Sequence, residues 1–127
     1  MRTAIHFSDQ EMQTARKLRA AGLPWVPMPG QFVLDEHRVV ERESPFQDGV
    51  FFVLNYEYFM KIAGGEERFR QIMLWLPMWE DCRASLRALG VGDHEVADRL
   101  KQCNGFVDGL ERSHLYELLL ERLERSP

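Results

Sequence analysis

The sequence of 127 residues holds only two cysteines, Cys82 and Cys103, too few for the disulfide framework that staples small secreted domains. Its opening stretch, Met1-Arg2-Thr3-Ala4-Ile5-His6-Phe7-Ser8, lacks the apolar segment of a secretory signal. A cytoplasmic location with reduced thiols is the expectation. Long hydrophobic runs are missing too. The longest, residues 50–54 and 72–79 with its proline, stop far short of the roughly 18 residues that a membrane span requires, so no membrane partner is expected. Nor does one sign of charge dominate. Sixteen Lys and Arg stand against twenty Asp and Glu, for a net charge of −4, and nowhere do three basic residues follow one another. A protein that neutralises several phosphates needs a local basic stripe. Nucleic acid is therefore not an expected partner.

What is present points to one folded core. Hydrophobic residues make up 45% and charged residues 28% of the chain, with eight Phe, three Tyr and three Trp, inside the globular range and outside the disordered one. At this length folding hides about two thirds of the unfolded surface. With no repeat, low-complexity tract or linker in view, a single compact domain over residues 1–127 is expected.

Ser8 and Glu11 have the Ser-x-x-Glu spacing of a capping box, and Met12, Ala15, Leu18 and Ala21 then recur at helical spacing up to Gly22. The connection Leu23-Pro24-Trp25-Val26-Pro27-Met28-Pro29-Gly30 holds three prolines, which fix φ and withhold donors, so it reads as an extended apolar loop. Residues 31–34 and 38–42, split by Asp35-Glu36-His37, read as an antiparallel hairpin. After Pro45 and the Asp48-Gly49 turn, Val50-Phe51-Phe52-Val53-Leu54 is continuous and β-prone, as expected of the central strand. A two-turn helix over residues 56–63 ends at Gly64-Gly65, and residues 69–76 read as a fourth strand. Trp79, Cys82, Leu86 and Leu89 share one stripe of a helix with Glu80 and Asp81 in its first turn. Asp93 caps a further helix carrying Val96, Leu100 and Cys103 on one face, closed by Asn104-Gly105. In the last helix, residues 111–124, Leu115, Leu118, Leu119, Leu120 and Leu123 cover an arc wider than one core stripe. Four short strands with four to five helices predict an α+β fold, helices packed on a small, mostly antiparallel sheet.

Signals for chemistry are sparse. His94 and Asp98 lie four apart, as metal ligands on a helix do, but the second histidine of a zincin is absent and an exposed polar face accounts for both. The intervals between Cys82, His94 and Cys103 match no zinc-finger spacing, and both thiols fall on apolar faces. No metal and no cofactor is expected. The segment around Gly90-Val91-Gly92 is spaced like a helix-turn-helix, yet its second helix opens Asp93-His94-Glu95 and presents carboxylates where phosphates belong. Carboxylates abound at Glu41, Glu43, Asp48, Glu57, Glu66 and Glu67, without a Gly-x-Ser-x-Gly elbow, a phosphate loop or a dinucleotide fingerprint. No catalytic residue is assigned, and the balance leans away from an enzyme.

The succession Gly22-Leu23-Pro24-Trp25 with Pro29-Gly30 before a strand, Leu74-Trp75-Leu76-Pro77 before an amphipathic helix, and a leucine-rich terminal helix resembles small uncharacterised proteins of bacteria and their phages. The likeness spans residues 22–89 and the last helix. It implies a compact α+β unit and brings no activity or catalytic residue with it; Met78 stands where similar proteins often place a capping Thr or Ser.

Two functional expectations follow. The first is a non-enzymatic protein-interaction module, a homodimer through Leu115, Tyr116 and Leu119 on the over-wide face of the last helix. The second is a small-molecule binding protein or an unrecognised enzyme, with a pocket lined by Trp25, Tyr58, Trp75 and Trp79.

Overall fold

Two reciprocal hydrogen bonds start the first helix, α1 (Asp9–Ala20). The Ser8 N–H donates to Glu11 Oε1 at 2.9 Å and the Glu11 N–H to Ser8 Oγ at 3.0 Å, the expected capping box. Its other end turns through Gly22, at φ +86°, where the Leu23 N–H reaches back to the Leu18 carbonyl at 3.0 Å. Such a left-handed terminus favours glycine. The computed structural model describes residues 5–44, 46–105 and 109–125. Pro45, expected in the connection before the second strand, lies outside them. Among the described residues the fold is α+β, with six helices and a three-stranded antiparallel sheet. No helix among them is long and apolar enough to cross a membrane. The chain forms two compact units, one running through Met12 and over Trp25–Leu76, the other over Gln13–Pro24 and from Pro77 onward.

The first unit holds the sheet. Strand β1 (Phe32–Asp35) lies between β2 (Val50–Phe52) and β3 (Met73–Leu76), with Val33 opposite both Phe51 and Trp75. The expected central strand is therefore an edge, and β1 takes the centre. The expected hairpin partner, residues 38–42, is not a strand. Buried Asp35 ends β1 by accepting from the Val39 N–H at 3.0 Å and the Val40 N–H at 2.8 Å, so these donors close a turn instead of a ladder. Arg38 sits at φ +54° and holds Asp48 through two hydrogen bonds of 2.9 and 2.7 Å, pinning the far side of the connection.

Helix α2 (Tyr56–Ala63) matches its expected bounds. The Asn55 side chain accepts from the Tyr58 N–H at 3.1 Å, and Gly64 closes the helix at φ +88°. The expected fourth strand is mostly helix: α3 (Glu66–Ile72) precedes β3. Glu66 and Glu67 sit at the favourable end of its dipole, and Glu66 pairs with Arg70 at 2.8 Å one turn on. Phe69 is its single buried anchor, too little for helical periodicity to show in sequence. Phe59, Ala63 and Phe69 pack with Val33, Phe51, Val53 and Met73 on one sheet face. On the other face Phe32 meets Phe7, Phe46 and Phe52 at ring distances of 5.0–5.8 Å.

The second unit is helical. Helix α4 (Trp79–Ala88) buries Cys82 and Leu86, α5 (Asp93–Gln102) buries Val96 and Leu100, and α6 (Glu111–Arg125) packs along α4 and more lightly on α5. The cap of α5 is Gly92 rather than Asp93. The Asp93 carboxylate is taken instead by Arg83 at 2.8 Å and Arg87 at 3.1 Å, which hold its pKa below the usual carboxylate value. At the start of α4 the Asp81 carboxylate accepts from the Met78 N–H at 2.9 Å, while burial pushes its pKa up.

Arg99 of α5 and Glu121 of α6 form a two-point pair, and hydrogen bonding by the guanidinium lowers the Glu121 pKa from its ordinary 4.5. A depressed carboxylate contributes stability that is complete above its unfolded value and is lost as pH falls through the folded one. Unfolding free energy is thus expected to decline below pH 4.5. Glu121→Gln flattens that decline and lowers the neutral-pH stability by about 0.2–1 kcal/mol, the range for a partly exposed pair. Urea titrations across pH check this; an unchanged acid limb contradicts it.

Candidate functional site

The connection after β1 and the start of α2 meet along the outer edge of β2, and there the first unit opens a cleft of about 390 Å³. Its apolar lining is Val40, Phe46, Phe51, Phe52, Leu54 and Phe59. Local chemistry places each of them. Asp35 turns the chain so that Val40 faces inward, the β2 pleat supplies Phe51 and Phe52, and the Asn55 cap sets Phe59 on the buried side of α2. Leu54, two residues past the end of β2, is 76% exposed, an expensive position for a leucine unless something covers it.

Polar groups of the lining are Arg42, Glu43, Asn55 and Tyr58. Arg42 lies over the Tyr58 ring at 4.7 Å, a cation–π contact that orients the guanidinium without using its donors. Arg42 has no carboxylate partner among the described residues, and the Tyr58 hydroxyl has no hydrogen-bond partner among them. The Asn55 oxygen, by contrast, is occupied by the α2 cap.

The strand edge itself is closed to pairing over most of its length. The Val50 carbonyl accepts from Ser44 Oγ, its N–H donates to the Gln47 carbonyl at 2.8 Å, and the Phe52 carbonyl accepts from the Leu54 N–H at 3.0 Å. An added β-strand finds few free groups here. The cleft offers apolar volume rather than a ladder.

Of the four aromatic residues expected to line a pocket, the structure brings only Tyr58 to this cleft. Trp25 and Trp75 stack on each other at 5.8 Å with ring planes 5° apart, and Trp25 leans on Phe69 at 5.6 Å. The Trp25 N–H donates to buried Gln31 at 2.9 Å; the Gln31 side chain also takes the Met28 N–H and gives to the Val26 carbonyl, fixing the proline-rich loop. Trp79 belongs to the helical unit, where Arg83 covers its ring at 4.9 Å. The indole N–H groups of Trp75 and Trp79 are enclosed with no hydrogen-bond partner among the described residues, so neither reaches a ligand as a donor.

Leu115, Tyr116 and Leu119, expected at a partner surface, are 1%, 0% and 0% exposed. The Tyr116 hydroxyl donates to the Pro77 carbonyl at 2.7 Å. Leu115, Leu118 and Leu119 of the wide arc are buried inside the chain while Leu120 and Leu123 are half-buried, so the three expected side chains have no surface to present. His94 and Asp98 stand 3.8 Å apart on an open face, with the His94 side chain 96% exposed. Among the described residues no group of three or more His, Cys, Asp or Glu comes together as metal ligands. Cys82 is buried, and Cys103 Sγ donates to the Arg99 carbonyl of its own helix at 3.0 Å.

Most of the lining was not singled out in sequence. The available signal was Leu54, an apolar residue ending a β-prone run just before a cap, where a solvated strand end usually turns polar. Val40, Arg42 and Phe46 carried no signal, since they reach the cleft through a connection whose course depends on Asp35. Comparison with family models, curated proteins and solved structures finds no match to this chain.

Proposed function

We propose that this protein binds a small apolar molecule in the cleft beside β2. One observation carries the reading: six apolar side chains line an open cleft of about 390 Å³, a volume within the range of ligand sites, with four polar residues completing the lining. Among the described residues of the lining there is no histidine, cysteine or serine to serve as nucleophile or shuttle, which favours binding over turnover.

Indole, a neutral aromatic probe, tests the reading when titrated into 15N-labelled protein. Saturable shifts are expected at the lining residues. Leu54→Glu, at an exposed position, leaves the fold intact and weakens indole by about tenfold, because a leucine contact is worth about 1.5–3 kcal/mol when covered. Shifts scattered over the surface, or an affinity indifferent to Leu54→Glu, contradict it.

A further inference from the structure

We infer that the molecule taken by this cleft is an apolar monocarboxylate, its hydrocarbon or aryl body against Val40, Phe51 and Phe59 and its carboxylate at Arg42 and the Tyr58 hydroxyl. The inference rests on the reading of the cleft as a ligand site and adds the charge and end group of the ligand. Apolar lining alone selects no head group. The donors do.

The Arg42 guanidinium carbon lies over the Tyr58 ring at 4.7 Å, and no carboxylate among the described residues takes its N–H groups. A planar guanidinium matches a carboxylate two donors to two acceptors. The Tyr58 phenol beneath it supplies a third donor with no hydrogen-bond partner among the described residues. An apolar body buried with its anion on that pair satisfies both halves of the lining at once, whereas a neutral hydrocarbon leaves the donors to water. Among the described residues five other arginines are already committed to carboxylates: Arg38 to Asp48, Arg70 to Glu66, Arg83 and Arg87 to Asp93, Arg99 to Glu121. Glu43 shares the lining and works against an anion, so the site is not a general anion trap. The apolar body must supply the rest of the affinity, which excludes small anions such as acetate or inorganic phosphate as good ligands.

Calorimetric titration at low ionic strength with three probes of one skeleton, 4-phenylbutyrate, 4-phenylbutan-1-ol and 4-phenylbutylamine, tests the inference. The carboxylate is expected to bind about tenfold tighter than the alcohol, as one charge-assisted contact at a partly solvated site provides. Arg42→Gln removes that advantage, bringing the carboxylate to within about twofold of the alcohol measured on the same variant. Tyr58→Phe keeps the ring beneath Arg42 and costs the carboxylate about threefold through the lost donor. Glu43→Gln strengthens the carboxylate and not the alcohol. Acid and alcohol binding alike, with Arg42→Gln without effect, overturns the carboxylate assignment while the cleft reading stands. Tightest binding by the amine overturns it in favour of Glu43 as the recognising group. Failure of all three probes and of indole removes the cleft reading and this inference together.

Discussion

Leu119→Ala is expected to lower the unfolding free energy by about 2–5 kcal/mol, the range for deleting a large aliphatic side chain from a closed core. Leu119 is fully buried on α6, and its neighbours Leu115 and Tyr116 are equally enclosed, with the Tyr116 hydroxyl tied to the Pro77 carbonyl. Against a total of about 5–15 kcal/mol for a domain of this kind, the loss is large. The substitution also separates two meanings of a leucine-rich helix. In a core residue the cost appears in the unfolding of each chain and does not depend on protein concentration. In an interface residue the fold survives and association weakens. Urea unfolding at several protein concentrations distinguishes them: a cost under about 1 kcal/mol, far below the core range, together with a concentration-dependent midpoint, restores α6 as a partner surface.

Asp35→Ala is expected to cost about 3 kcal/mol or more, because two backbone donors lose a charged acceptor and such bonds contribute about 1.5–3 kcal/mol each. Asp35 is 2% exposed, and its carboxylate is the point at which the chain leaves the sheet. Asn at this position keeps one acceptor oxygen and recovers roughly half of the loss. The consequence reaches the cleft, since Val40, Arg42 and Phe46 all follow the turn that Asp35 closes. Ligand affinity therefore falls in Asp35→Asn under conditions where the variant remains folded. Unchanged affinity in a measurably destabilised Asp35→Asn contradicts the assignment of Asp35 as the residue that positions the cleft.

Elements whose causes lie within one or two turns of chain were legible in the sequence. The Ser8–Glu11 box opens α1, and Asn55 with Gly64 bounds α2 as its glycine pair implied. The stripes of α4 and α5 and the long α6 followed from apolar spacing alone. Partnership over longer distance was not legible. Residues 38–42 read as a strand through Val39 and Val40, but the Val39 and Val40 amides are taken by the buried Asp35 carboxylate, and β1 pairs with β2 and β3 instead. Phe69 reads as strand because a helix with one buried anchor leaves no period behind.

The candidate site failed to show in sequence for a related reason. Tryptophans were expected in the pocket for their size, but two of them satisfy each other by stacking and Trp25 spends its N–H on Gln31. Phenylalanines, which need no partner, are left to line open volume. Tyr58 does line the cleft, its place on α2 set locally by the Asn55 cap that accepts from its N–H.

Isotope-filtered nuclear Overhauser contacts between bound indole and the protein's methyl groups test the central claim most directly. Contacts to Val40 and Leu54 are predicted. Contacts confined to the other exposed apolar side chains, Ile5, Val26, Met28 and Leu110, or none under saturating indole, contradict it.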